Sequence, residues 1–158
     1  MVDNRGMRWR VLVGTGIAVA ATAVVGAAGV DSESTWFRRL RKPSWQPPPQ
    51  VFGPVWSTLY TDIALSSAAA LSRLPERSGY VPALARNLVL NAGWTWVFWR
   101  AQRPGWAAVE AAALTASSVD LLARTARADR RAGAALAPYV AWCAFATALS
   151  TAIARRNS

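Results

Sequence analysis

An all-α integral membrane bundle of five transmembrane helices is the fold class the sequence predicts, and three observations predict it. Val11 to Val30 is twenty residues without a charge and Ala132 to Ala154 is twenty-three; at 1.5 Å per residue either run crosses a hydrocarbon core about 30 Å thick. A composition of 53% hydrophobic and 16% charged residues fits a soluble helical domain or a small membrane bundle, so the distribution of charge has to decide. The formal charge of +10 lies in short Lys and Arg clusters between and beside the apolar runs. Without a continuous basic face or an interleaved recognition motif, that charge points to anionic lipid headgroups and away from nucleic acid.

Five spans are expected in a single domain covering residues 1–158, at about 10–30, 50–72, 80–100, 105–124 and 132–155. The first span follows Arg5, Arg8 and Arg10 and ends in Gly26-Ala27-Ala28-Gly29, as a cleavable secretory signal would. Its twenty apolar residues exceed a signal core and further spans follow, so it is read as a retained helix, with Ala18, Thr22 and Gly26 spaced for close packing. The connection 31–49 carries Arg38, Arg39, Arg41 and Lys42 and then Pro43-Ser44-Trp45-Gln46-Pro47-Pro48-Pro49, a proline-stiffened aromatic turn that reads as a rigid mouth. Later links are short, contain Pro75, Pro82, Pro104 or Arg130-Arg131, and predict neighbouring antiparallel helices. Basic residues divide ten to eight between the two sides, which leaves orientation open.

Nine tryptophans are a high load for this length. Trp36, Trp45, Trp56 and Trp106 fall near helix ends, as an interfacial aromatic belt would. Three stripes are harder to assign to a belt: Trp56 with Tyr60; Asn91 with Trp94, Thr95 and Phe98; and Trp142 with Phe145, Ala146 and Leu149, each set one turn apart. Converging stripes fit bundle core or a ligand pocket, and Asn91 draws the balance toward the pocket because a buried amide needs partners. Of the charges inside spans, Asp62, Arg86, Glu110 and Asp120, an ion pair between Arg86 and Asp120 is expected. Catalytic side chains are sparse. There is no histidine, one cysteine (Cys143), no phosphate loop and no metal-ligand cluster, and Glu110 and Asp120 lie on nearly opposite helix faces. A haem-like ligand would be held by packing and hydrogen bonds, and any chemistry would use tryptophan as a redox or photochemical partner.

Several motifs resemble one family. Trp36-Phe37-x-x-Leu40-x-Lys42-Pro43-Ser44-Trp45-x-Pro47-Pro48, Pro54-Val55-Trp56-x-Thr58-Leu59-Tyr60, Leu90-Asn91-x-x-Trp94 with Phe98, Gly105-Trp106 and Pro138-Tyr139-Val140-Ala141-Trp142-x-Ala144-Phe145-Ala146-Thr147 are similar to the tryptophan-rich sensory protein (TspO/MBR) family. This is the family of the mitochondrial translocator protein, or peripheral benzodiazepine receptor. The likeness covers about residues 30–158. It implies a multi-pass bundle, commonly a homodimer, in a bacterial-type cell membrane. It implies porphyrin or haem as ligand, no required cofactor, and no metal in the site.

By matched motif, the resemblance places Trp45 and Pro47 in a cap over the pocket. It lines the pocket with Phe52, Gly53, Val55, Trp56 and Tyr60 from the second span and with Asn91, Trp94 and Phe98 from the third. Trp106 and Glu110 come from the fourth, and Trp142, Phe145, Ala146 and Leu149 from the fifth. It also implicates Trp56 and Trp142 in light- and oxygen-dependent porphyrin breakdown. Two departures bear on the ligand. Residues 148–155 lack the tyrosine of the animal cholesterol-recognition stretch, which weakens a sterol reading. Thr95 replaces the usual proline after the helix-three tryptophan and Phe98-Trp99 the paired phenylalanines, which is expected to straighten that helix and reshape the pocket floor. The expected function is tetrapyrrole sensing, scavenging or transport under stress, with porphyrin degradation, a small-molecule channel or sterol binding as alternatives.

Overall fold

The computed structural model describes residues 4–77 and 79–158, so Met1 to Asp3 and Ser78 lie outside the described residues. Its elements are α1 (Asn4–Gly29), a short α2 (Thr35–Arg39), α3 (Pro49–Leu71), α4 (Tyr80–Thr95), α5 (Pro104–Ala128), a short α6 (Arg130–Ala135) and α7 (Ala137–Arg156). A π-helical turn, Trp96–Arg100, extends α4, and α6 runs almost directly into α7. Five long helical segments result, in agreement with the predicted class. Prolines mark where several begin: Pro49, Pro104 and Pro138 occupy first-turn positions, where a missing N–H removes no intrahelical bond.

Three segments are long and apolar enough to cross a membrane on length and composition alone: Gly6–Gly29, Pro104–Ala128 and Arg130–Arg156. The other two fall short for evident reasons. Ser57, Thr58, Thr61, Asp62, Ser66 and Ser67 dilute the hydropathy of α3, and α4 has 16 residues before its geometry changes. Their hydroxyls are accounted for locally: Ser57, Thr58 and Thr61 donate to the carbonyls of Gly53, Pro54 and Ser57 at 2.9–3.0 Å. A turn of hydroxyl-to-carbonyl bonds lets such a helix sit in an apolar medium.

Helix α5 packs most extensively on α7 and then on α4, while α1 packs on both α3 and α4. One expectation needs correction. The eight-residue link between α3 and α4 predicts adjacent antiparallel partners, yet their backbones do not pack closely. Long side chains bridge them instead, the Tyr60 hydroxyl reaching Asn91 (2.7 Å) and the Tyr80 hydroxyl reaching Ser67 (3.2 Å). The space kept open between them is where the candidate site forms.

The main core gathers Leu59, Ile63, Leu88, Leu121, Leu136 and Tyr139 from α3, α4, α5, α7 and the α6–α7 junction. The Tyr80 hydroxyl is paired within it, with Thr125 (2.8 Å) as well as Ser67. Arg86 and Asp120 meet at 2.7 Å as expected, and Arg124 joins the same carboxylate at 2.9 Å. Asp129 organises the α5–α6 corner. It caps α6 by accepting from the Arg131 and Ala132 amides (2.9 and 3.3 Å) and pairs with Arg73 at 2.7 Å. Gly133 is required there, because a Cβ would stand 2.5 Å from the Ala126 Cα.

The Ala132 amide, with the Arg131 amide and nearby Arg73, holds the Asp129 carboxyl below its ordinary range. A lowered folded value favours the ionised form, so this contribution is present above about pH 4 and is lost as pH falls through the folded value. Asp129→Asn keeps a capping oxygen and removes the charge. It should therefore lower the unfolding temperature at neutral pH, with the deficit shrinking below about pH 4. Thermal unfolding of both proteins between pH 3 and 7 checks this, and a deficit independent of pH would contradict it.

Candidate functional site

The connection after α1 folds into a cover clipped to the far end of α7. Ser34 caps α2, accepting from the Phe37 amide at 3.3 Å. The Arg41 amide donates to Asn157 Oδ1 (2.9 Å) while Asn157 Nδ2 donates to the Arg41 carbonyl (3.0 Å), a paired bond between residues 116 apart in sequence. Lys42 Nζ donates to the Phe37 carbonyl (2.6 Å) and lies 4.0 Å from the Phe37 ring centroid. These bonds and the proline run hold Trp45 edge-on to Phe145, with centroids 5.8 Å apart.

Beneath the cover is a cavity of about 520 Å³ bordered by α1, α3, α4, α5, α7 and the cover itself. Its walls are aromatic. Trp94 stacks on Phe98 at 5.3 Å and 15°, Phe98 meets Trp36 and Trp99 edge-on, and Phe52 meets Trp142 at 5.8 Å. Regular α-helix runs through Thr95, where the family has proline, and then gives way to the π turn. The Ala101 amide donates to the Trp96 carbonyl at 2.9 Å, five residues back, and this widened turn brings Trp94, Phe98 and Trp99 to the cavity together. Contacts with α1 brace the turn: Trp96 Nε1 donates to the Val25 carbonyl (3.0 Å), and a Cβ on Gly29 would stand 2.9 Å from Thr95 Oγ1.

The floor is a chain of buried hydrogen bonds. The Tyr60 hydroxyl donates to Asn91 Oδ1 (2.7 Å), Asn91 Nδ2 to the Tyr139 hydroxyl (3.1 Å), and that hydroxyl to Asn87 Oδ1 (2.8 Å). Asn87 Nδ2 then donates to Ser117 and Ser118 at 3.3 and 3.1 Å. Asn91 thus finds the partners a buried amide needs in two tyrosines, and it still borders the cavity. Among the described residues, the buried side-chain atoms without a hydrogen-bond partner are Trp94 Nε1 and Gln46 Oε1, and both residues border the cavity. The rest of the lining is mainly apolar and aromatic, with Ser32, Thr95 and Ser150 as small polar side chains among it.

Of the residues singled out from sequence, Phe52, Gly53, Trp56, Tyr60, Asn91, Trp94, Phe98, Trp142, Ala146 and Leu149 border this cavity. The others sit elsewhere. Trp45 and Trp106 are 48% and 64% exposed, Val55 packs against the main core, and Phe145 stands behind Trp142 against Trp45. Pro47 belongs to the cover, and Glu110 is turned onto α4, where its carboxylate occupies the space a side chain at Gly93 would need. Sequence reasoning missed Gly26, Phe37, Gln46, Trp99, Cys143, Ser150 and Ile153. Extending the α7 stripe by one turn past Leu149 reaches Ile153, and Gly26 closed the small-residue series on α1. Nothing local to Gln46 marked it.

The model of the TspO/MBR family matches residues 14–156. The chain is 32% identical to the Translocator protein of Homo sapiens over 154 residues, 94% of this chain and 91% of the relative. It is 30% identical to the Tryptophan-rich protein TspO of Chlorobaculum tepidum over 141 residues (87% and 89%). The Tryptophan-rich sensory protein of Cereibacter sphaeroides is 31% identical over 152 residues (96% and 94%).

The floor predicts an asymmetry between its two tyrosines. Tyr139→Phe leaves both Asn87 Oδ1 and Asn91 Nδ2 short of a partner in a buried position, and should destabilise by about 1–3 kcal/mol. Tyr60→Phe removes one bond beside the cavity, where water can replace it, and should cost less. Unfolding titrations in detergent check the order, and equal losses would contradict it.

Proposed function

Because the chain belongs to the TspO/MBR family and is a multi-pass integral membrane protein, we propose that its aromatic cavity binds porphyrins such as protoporphyrin IX or haem, for tetrapyrrole sensing, scavenging or transport. The observation that carries this reading is the match between the chamber and a flat aromatic macrocycle. Its volume of about 520 Å³ lies within the roughly 300–1,000 Å³ usual for small-molecule sites. Trp94, Phe98, Trp142 and Phe52 offer ring faces and edges for stacking, each such contact contributing about 0.5–1.5 kcal/mol beyond area burial. Trp94 Nε1 supplies a donor and Gln46 Oε1 an acceptor for the few polar groups of such a ligand. Arg38, Arg39 and Arg41 on the cover add positive charge suited to carboxylate substituents.

A homodimer is part of the proposal. Helix α3 leaves Gly53, Ser57 and Thr61 exposed at four-residue intervals, the small-residue pattern through which membrane helices associate. A second reading, light-dependent oxidation of the bound porphyrin by dioxygen, is favoured by the position of Trp56 and Trp142 on the cavity wall. Both indoles would then act as redox partners of the excited macrocycle.

Tryptophan-quenching titrations with protoporphyrin IX, haem and a sterol test the binding claim, and saturation by the sterol alone would overturn it. Trp94→Phe keeps the stack on Phe98 and removes the N–H, so porphyrin affinity should fall roughly two- to tenfold. For the photochemical reading, Trp56→Phe and Trp142→Phe should reduce photoproduct yield more than binding. An unchanged yield in both variants would defeat it.

A further inference from the structure

At the opposite end of the bundle from the aromatic cavity, a groove of about 450 Å³ opens between α1, the end of α3 and the start of α4. Its floor and walls are apolar, with Leu71 and Leu84 buried at its base and Val11, Gly14, Ala18 and Val81 alongside. Thr15 adds no free polar group, because its hydroxyl donates to the carbonyls of Leu12 and Ala64, each at 3.1 Å. From Arg10 to Ala18 the groove follows one face of α1 for about 12 Å, at 1.5 Å per residue. Arg10 and Arg77 stand at its outer end. Among the described residues neither has a carboxylate partner, whereas neighbouring Arg73, Arg86 and Arg124 are each paired with an aspartate.

We propose that this groove is a binding site for an anionic phospholipid, with one acyl chain along the α1 face and the phosphate between Arg10 and Arg77. Charge complementarity selects the occupant. The groove lies at the end of membrane-crossing helices, where the acyl region gives way to headgroups, and two uncompensated guanidiniums call for a phosphate at that depth. A free anion would leave the apolar trough unfilled, and a neutral lipid would leave the arginines unpaired. Gly14 gives the trough its depth, since a Cβ there would meet nothing within 4 Å. The site is independent of the aromatic cavity and shares no lining residue with it.

The experiment uses the full chain in nanodiscs of equimolar phosphatidylglycerol and phosphatidylcholine, extracted with limiting detergent, with the retained lipid read by native mass spectrometry. The wild-type protein should retain phosphatidylglycerol over phosphatidylcholine by about tenfold or more, as two basic residues acting on one headgroup imply. Gly14→Leu leaves every charge in place and fills the trough, and should abolish that retention; Ala18→Leu does the same one turn further along and serves if Gly14→Leu fails to fold. Arg10→Gln with Arg77→Gln should bring the ratio near one while lipid is still retained. Undiminished phosphatidylglycerol on the trough-filled variant would overturn the proposal, because attraction to the basic surface alone would then explain the preference. Displacement of the lipid by millimolar inorganic phosphate would overturn it as well.

Discussion

The bundle depends on the hydrogen-bond chain from Tyr60 through Asn91, Tyr139 and Asn87 to Ser117 and Ser118. In an apolar interior each amide or hydroxyl left unpaired is costly, so the chain forms as a unit or not at all. It draws one or two residues from each of α3, α4, α5 and α7 and so fixes their mutual rotation. Turning α4 by a single residue, about 100°, would carry both asparagines away from their partners. Asn87, Asn91, Trp94 and Phe98 form one stripe on that helix and its π turn. The polar half of the stripe sets the register, and the register aims the aromatic half into the cavity.

The upper end is fixed by different means. Asn157 and Arg41 exchange hydrogen bonds across 116 residues, and together with the proline run they make the cover an extension of α7. Helix α1 closes the remaining side by close backbone approach. Gly26 and Gly29 leave room for Tyr60, Thr95 and Trp96, and two backbone carbonyls of α1 accept from Trp96 and Arg100. The cavity is thus walled on that side by direct contacts between α1 and the helices facing it.

Much of this was legible in the sequence because periodicity and charge distribution act locally. Uncharged runs marked the first and last long segments, prolines marked several helix starts, and i, i+3 and i+4 stripes identified nine of the residues that border the cavity, Phe52 and Gly53 being added by the family resemblance. What escaped were features set by tertiary geometry. The π turn at Trp96–Arg100 has no proline or glycine to announce it and arises where α1 braces α4. Glu110 sits on the correct helix but turns toward Gly93, a choice made by the absence of a side chain on the neighbouring helix. Trp106 follows its motif yet faces outward, because spacing along α5 does not say which face α4 and α7 will cover.

The contrast between Asn91 and Trp94, both on the cavity wall, carries the most chemical weight. A buried amide in an apolar span draws attention as a ligand contact because it must be satisfied, but satisfaction can come from within, and two tyrosines supply it. The indole N–H one turn further on has no such partner, nor has the Gln46 carbonyl brought down by the cover. Each unpaired buried group opposes folding by about 1–3 kcal/mol, a penalty that a ligand offering the complementary group would relieve. The polar demands of the chamber are therefore few and face a largely aromatic volume, which favours a large flat molecule with polar groups at its edge over a small polar one.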